Sequence, residues 1–277
     1  MWTEYAVYKP HLTQATRPAT VTLAAIDEQG NTVPATVAGE HPLTVYLDKR
    51  EIVTLMTLGT TPEALVLGYL RNQRLVAEIG DIASVQVDWE TGSAAVTTHA
   101  GSPNLTARMA SRTVTSGCGQ GTMFGDLMEN LDSILLPETG RMSEATLMTL
   151  LDNVRRHESI YKQAGAVHGC ALAESGGEIL MFVEDVGRHN AVDAIAGRMW
   201  LEAIGGGDKI FYTTGRLTSE MVIKAAQMGI PFLISRSGLT AMAHAIAVKV
   251  GLTLIGRAQG RHYLLFAGQQ RFSRGRP

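Results

Sequence analysis

The chain has 277 residues, enough for one large core or two modest ones, and its 45 % hydrophobic against 18 % charged content argues against an extended disordered chain. A formal net charge of −2 argues against a surface that grips nucleic acid over its whole area, so no nucleic-acid partner is expected. Two cysteines, Cys118 and Cys170, allow at most one disulfide and are too few for a cysteine-built metal centre, so no metal is expected. No run reaches the ~18 consecutive apolar residues of a membrane span. The first twenty residues lack the basic-then-apolar layout of a secretory leader. A cytoplasmic protein with reduced thiols is the reading.

Taken in chain order, residues 1–115 read as a β-rich N-terminal domain with one helix. VTLAAIDEQGNTV turns at Glu28–Asn31, and PLTVYLDKREIVTLMTLG forms a hairpin around Asp48–Arg50 with Leu43, Val45 and Leu47 alternating inward. SVQVDWETGSAAVTT is another hairpin, turning at Glu90–Ser93. Between the last two lies a helix with Thr61 at the N-cap and Pro62 at the first position, where its missing N–H costs nothing. Glu63 suits the positive end of that helix. Residues 102–125 carry no clear periodicity and end in TSGCGQGTMFGD, and 116–142 read as a cysteine loop and connector.

Residues 143–277 read as a layered α/β domain. Leu147, Leu150, Leu151 and Val154 stripe a helix, and a hairpin follows, turning at Ser175–Gly177. Helices and short strands then alternate. NAVDAIAGRMWLEA is helical, with Asn190 and Asp193 spaced as a small capping box. KIFYTT and PFLISRS are strands, and Gly229 and Gly251 end the helices near them. LTLIG and HYLLFA are the last strands.

Several places carry chemistry. Cys118 sits in Ser116-Gly117-Cys118-Gly119-Gln120-Gly121, where glycines remove bulk from both sides of the thiol and free the backbone. That suits a thiolate that must reach both a donor and an acceptor; the same letters also describe a small cysteine buried in a tight turn. Cys170 lies in an apolar strand and reads as a buried small residue. Glu184-Asp185-Val186-Gly187-Arg188-His189-Asn190 falls at a strand-to-helix junction, where open α/β sheets bind ligands. Thr214–Glu220 and Ser235–Thr240 fall at the next two junctions. Arg188, His189, Arg216, Ser235 and Ser237 thus mark a rim suited to anions if the strands are neighbours, or else a set of salt-bridged turns. His168 and His244 read as core histidines. Arginines 257, 261, 271, 274 and 276 make the chain end basic, with Arg271–Arg276 read as a solvated tail.

Four blocks together resemble the formate dehydrogenase accessory (FdhD) family. They are EHPLTVYLDKREIVTLMTLGTTPEALVLGYLRNQRLV, SGCG, EDVGRHNAVD and GRLTSEMVIKAAQMGIPFLISRSGLTAMAHAIAVKVGLTLIG, within about residues 35–267. The resemblance implies a sulfurtransferase. Such a protein takes persulfide sulfur from an IscS-like cysteine desulfurase and hands it to the molybdenum cofactor, Mo-bis(molybdopterin guanine dinucleotide), for formate dehydrogenase. It also implies a cytidine deaminase-like α/β domain, a homodimer, Cys118 as the persulfide residue, and cofactor contacts at Arg257, Ala258, Gln259, Gly260, Arg261 and His262. Many members carry a second cysteine where this chain has Gly121, so a single-cysteine relay is what remains here. The aromatic residue common at the start of the cofactor stretch is Arg257, and the stretch is a residue shorter. Two other readings stand beside this one. The first is a cofactor-delivering chaperone without sulfur transfer. The second is a zinc deaminase, which lacks its Pro-Cys-x-x-Cys here.

Overall fold

A computed structural model describes residues 8–101, 113–114, 121–122, 131, 134 and 136–275. In the N-terminal part, β1 (His11–Leu12), β4 (His41–Leu47), β5 (Arg50–Thr57), β6 (Ile82–Asp88) and β7 (Ser93–Thr98) form one sheet in the order β1-β6-β7-β4-β5. β2 (Thr20–Ile26) and β3 (Thr32–Ala38) make a separate two-stranded ribbon. The β4–β5 turn is made by Asp48 and Lys49, both at positive φ (46° and 69°), the twist that two-residue hairpins favour. The Asp48 carboxylate accepts from the Thr98 amide and hydroxyl (2.9 and 2.8 Å), locking the turn to β7. Leu43, Val45 and Leu47 are fully buried, as their alternation requires.

Helix α1 (Pro62–Asn72) starts at Pro62 with Thr61 at the N-cap, though the Thr61 side chain makes no capping bond. Glu63 does more than suit the helix end: its carboxylate accepts from the Ala15 amide (2.6 Å) and the Thr13 hydroxyl (3.0 Å), fastening the leading segment.

Farther on come the short pair β8 (Thr113–Val114) and β9 (Gly121–Thr122), then β10 (Met142–Ser143), α2 (Glu144–Arg156) and α3 (Ile160–Ala164). The remainder is β11 (His168–Ala173), β12 (Ile179–Asp185), α4 (Arg188–Leu201), β13 (Ile210–Thr213), α5 (Ser219–Gln227), β14 (Phe232–Ser235), α6 (Ala241–Val250), β15 (Thr253–Gln259), β16 (His262–Ala267) and β17 (Phe272–Ser273). Six of these strands form a mixed sheet, β12-β11-β13-β14-β15-β16. β11 runs antiparallel to β12 and β13, while β13, β14 and β15 are parallel, so β12 through β15 share a direction. One face of this sheet (Cys170, Leu172, Phe211, Leu233, Leu254) packs under α4, α5 and α6. The other face (Ala171, Tyr212, Ile234, Ile255) packs under α2 through Leu147, Leu150 and Leu151. The fold is therefore mixed α/β with several sheets. No helix among the described residues is long and apolar enough to cross a membrane.

One hydrophobic core contains residues of the N-terminal sheet, α1 and the second half together. The two halves meet where α1 crosses α4. A Cβ on Gly68 would land on the Asp193 carbonyl, and one on Gly197 would land on the Ala64 carbonyl. Only glycine at both positions lets the backbones touch. Beside the crossing, Asp193 is fully buried and binds Lys224 Nζ through both oxygens (2.7 and 2.8 Å). Asn72 Nδ2 of α1 donates to the same carboxylate (2.7 Å).

The structure corrects three expectations. Asn190 and Asp193 form no capping box: Gly187 is the N-cap of α4, without a side-chain bond, and both side chains serve longer-range partners. Arg271 is no solvated tail residue, being 3 % exposed with its guanidinium against the Leu136 carbonyl and Gly251. β17 then pairs with β10 (Met142↔Phe272). His168 and His244 are not core residues. The first is half-buried at the end of its strand, and the second is exposed with Nε2 3.2 Å from the Phe266 carbonyl.

Gly68→Ala and Gly197→Ala should each cost about 3 kcal/mol or more of unfolding free energy, because rigid backbone, not a side chain, blocks the new methyl. Urea denaturation measures this; Gly205→Ala, with open space around its Cβ, is the control expected to stay near parent.

Candidate functional site

Because β12, β13 and β14 run the same way, the loops after them open on one edge of the sheet. Residues 185–188, 214–218 and 236–240 gather there. The loops interlock: Ser235 Oγ donates to the Gly215 carbonyl (2.6 Å) and accepts from the Ser237 amide (2.8 Å). Leu217 and Leu239 form a parallel bridge. The Arg188 side chain packs directly over Gly215, where a Cβ would come within 2.8 Å of it. Arg188, Arg216 and Arg236 all lie close enough to His168 to act on it electrostatically. Burial, first, and these three cations, second, hold its imidazole below the usual histidine range. The three arginines spaced along the sequence are thus brought to one edge, giving a cationic arc with a neutral imidazole inside it.

The segment Glu184–Asn190 shows how that edge is held. Asp185, 4 % exposed, accepts four hydrogen bonds: from Thr57 Oγ1 (2.5 Å), the Leu58 amide (3.1 Å), the Gly187 amide (3.1 Å) and Asn190 Nδ2 (2.7 Å). Burial pushes its pKa upward while these donors pull it down. Asn190 Nδ2 also reaches the Met56 carbonyl (2.6 Å). Asp185 and Asn190 therefore stitch the end of β5 to the start of α4. His189 points inward rather than to the edge. Its Nε2 lies 3.4 Å from Glu220 Oε2, both residues are buried, and burial holds the imidazole well below its ordinary value, hence neutral.

A cavity of about 280 Å³ opens beside this edge, on the α2 face of the sheet. Phe182, Tyr212, Val167 and Ala258 give it an apolar lining; Arg155, Lys162 and Arg236 bring positive charge; Thr214, Ser159 and Gln259 bring hydrogen-bonding groups. Burial pushes the Tyr212 phenol up to about 12, so it stays a neutral donor. Of the stretch 257–262, Ala258, Gln259 and Gly260 line the cavity. Arg257 in β15, Arg261 in the turn and His262 at the start of β16 are exposed and do not line it. Arg257 takes φ 52° within a bulge between Gly256 and Gln259, and its amide bonds to the Ser237 carbonyl (2.9 Å). A left-handed residue in a bulge re-aims the strand, here turning Ala258 and Gln259 toward the cavity.

Of the rim residues singled out in the sequence, Arg188, Arg216 and Ser237 lie at the shared edge, Ser235 is spent on loop–loop bonds, and His189 is buried behind it. None of the five lines the cavity. Sequence reasoning missed Tyr161, Lys162 and Arg155. They come from α2 and α3, and no local motif marks them. Arg236 stood inside a singled-out segment and lies over the Tyr161 ring (5.6 Å). Cys118 falls outside the described residues; the strands on either side of it, β8 and β9, pair antiparallel (Val114↔Gly121). Among the described residues no cluster of three or more His, Cys, Asp or Glu side chains is arranged to hold a metal.

Comparison with known proteins decides the affiliation. Residues 38–273 match the FdhD/NarQ family. The chain belongs to the FdhD/NarQ family. A relative from Sulfurisphaera tokodaii named sulfur carrier protein FdhD is 32 % identical over 239 residues, covering 85 % of this chain and 91 % of its own. One of the same name from Listeria monocytogenes is 30 % identical over 243 residues, covering 87 % and 93 %. Among solved structures, one assigned as a formate dehydrogenase accessory protein from Desulfotalea psychrophila aligns with a TM-score of 0.73 at 25 % identity, covering 92 % of this chain and all of that one.

In this FdhD/NarQ member the described thiol, Cys170, is a core group. It is fully buried, its Sγ donates to Thr213 Oγ1 (3.3 Å), and burial pushes it from the usual 9.0 up to about 12. Cys170 should therefore react with a thiol reagent at pH 8 only after denaturant is added, read as labelling by mass spectrometry. The unfolded chain loses this proton first, so stability should fall as pH rises from about 9 toward 12. Cys170→Ala should flatten that part of the pH–stability curve.

Proposed function

We propose that this chain is a sulfur carrier acting as a persulfide-relay sulfurtransferase. It takes sulfur on Cys118 from an IscS-like cysteine desulfurase and passes it to Mo-bis(molybdopterin guanine dinucleotide) bound for formate dehydrogenase. It works in the cytoplasm as a homodimer. The observation that carries the ligand side of this reading is the cavity lined jointly by Ala258, Gln259, Gly260, Thr214 and Arg236. The relatives' shared name, sulfur carrier protein FdhD, supports the sulfur side.

The chemistry needs little machinery. The Cys118 thiolate attacks the outer sulfur of the donor's persulfide. A new S–S bond forms on Cys118, and the donor cysteine leaves as a thiolate. When an acceptor takes that outer sulfur, the bond to Cys118 breaks and Cys118 leaves as a thiolate in turn. Glycines 117, 119 and 121 give the thiol the access that both attacks require. The cationic arc and the cavity then have a different task, to hold a phosphate-bearing ligand. Apolar walls such as Phe182 and Tyr212 suit a flat heterocycle, and Arg155, Lys162 and Arg236 suit its phosphates. Asp185 and Asn190 keep the edge in place but touch no ligand-facing surface.

A chaperone that carries the cofactor without sulfur chemistry is the alternative, favoured by Gly121 standing where the family resemblance implies a second cysteine. Two measurements separate the readings. With a desulfurase fed sulfur-labelled cysteine, the parent and Cys170→Ala should each gain one labelled sulfur atom, and Cys118→Ala should gain none. In a cell lacking its own copy, Cys118→Ser should fail to restore formate dehydrogenase activity; full restoration would leave only the chaperone reading. Arg236→Ala should weaken GDP binding about 10-fold, by isothermal calorimetry, without altering sulfur loading.

A further inference from the structure

The cavity has a wall that is not anchored in the core. Helix α3 is five residues long, and none of its residues is buried. Ser159, Tyr161 and Lys162 face the 280 Å³ cavity. Ser159, Ile160 and Gln163 face a second chamber of about 320 Å³, bounded also by Thr60, Thr61 and Arg198. The two chambers share Ser159, Phe182 and Glu184, so α3 and its leading residue are the partition between them.

Three attachments hold α3 down. At its start the Glu184 carboxylate accepts from the Ile160 amide (2.5 Å) and the Tyr161 amide (3.2 Å). Ser159 Oγ accepts from the Lys162 amide, but that bond is internal to the turn. On its outer side the helix lies against β3 of the exposed ribbon. Over Tyr161 sits Arg236, an exposed side chain. Of these, only Glu184 is a buried group reaching out from the sheet. At the other end, Gly165 (φ 63°, ψ −157°) and Ala166 (φ 54°) are consecutive residues in left-handed φ. Gly165 occupies a region essentially reserved for glycine, and the space around it is open. Two such residues in series absorb a large change of direction in little chain, as a hinge does.

We propose that α3 is a hinged gate over the cavity and that Glu184 is the positioning residue that latches it. With the latch made, the two chambers are separate and Tyr161 and Lys162 face the first. With it released, α3 swings on Gly165–Ala166 and the chambers join, giving a ligand its way in and out. A segment with no buried side chain and one buried tether belongs to the least stable part of a fold, which is where lids are drawn from. The gating of a ligand rests on the reading of the cavity given above; the latch itself does not.

The test uses the full chain. Hydrogen exchange, read by mass spectrometry on peptides covering residues 158–166, should speed up at least tenfold in Glu184→Ala, with peptides from β11 and β13 unchanged. Glu184→Gln, which keeps a carbonyl acceptor, should fall between Glu184→Ala and the parent. Gly165→Ala, strained in the observed conformation, should loosen the same peptides with the carboxylate intact. In stopped-flow with GDP as the probe, Glu184→Ala should raise both association and dissociation rates at least fivefold and change Kd less than either. A merely structural residue would change Kd without that paired change in rates. Unchanged exchange over 158–166 in both Glu184→Ala and Gly165→Ala, or a rise shared by the sheet peptides, overturns the gate. Absence of GDP binding by the parent counts against the ligand reading alone, and the exchange result then decides the latch.

Discussion

The α1–α4 crossing is the constraint on which the rest depends. Two glycines let helix backbones meet, and the Asp193 carbonyl lies in the contact itself. The side chain of the same Asp193 is gripped by Lys224 of α5 and Asn72 of α1. One residue thus fixes three helices, with its main chain at one crossing and its carboxylate at another. A buried ion pair earns little stability over an apolar pair, but removing one partner strands a charge and costs about 3–5 kcal/mol. What the arrangement supplies is position: α4 can sit at only one height against α1, and the loop that precedes α4 is set with it.

From there the edge of the six-stranded sheet is determined in steps. Asp185 and Asn190, flanking the start of α4, collect the end of β5. Arg188, between them in sequence, is left to pack over Gly215 and face the edge. Glu184, one residue before, turns to the other side of the strand and meets α3. Consecutive residues of a strand point to opposite faces, so a short acidic pair can serve the N-terminal sheet with one carboxylate and the cavity wall with the other. The like charges are tolerated side by side because Arg216 and Arg236 reach solvent, which screens their repulsion, while the imidazoles beside them are kept neutral and add no charge.

What was legible in the sequence was local. Asp48–Lys49 announced a tight hairpin, Pro62 announced a helix start, and the αL residue Gly251 marked the end of α6 where it was expected. The recurrence of arginine at three strand-to-helix junctions pointed to a common edge because parallel neighbours put such loops side by side. What failed were inferences from spacing to partner. Asn190 and Asp193 have capping-box spacing, yet Asn190 bonds to Asp185 and to Met56, and Asp193 to Lys224, the last two remote in sequence. Arg271 sits among exposed basic residues and is nonetheless buried, because the Leu136 carbonyl, remote in sequence, accepts from its guanidinium beside Gly251. The cavity residues of α2 and α3 carry no signature, since their role is set by which sheet face they cover.

The pairing of β17 with β10 bears on how the protein is made. Met142 and Phe272 lie side by side, so the chain's last strand completes a contact begun roughly halfway along it. During synthesis the N-terminal sheet and the first strands of the second half emerge early and can collapse. The α2 face stays uncapped by Phe272, and the Leu136 carbonyl lacks its Arg271 partner, until residues 271–273 have left the ribosome. Growing chains consequently carry an open apolar seam that closes only once β17 has emerged. Removing residues 271–273 therefore acts on that late step of folding rather than on a dispensable tail.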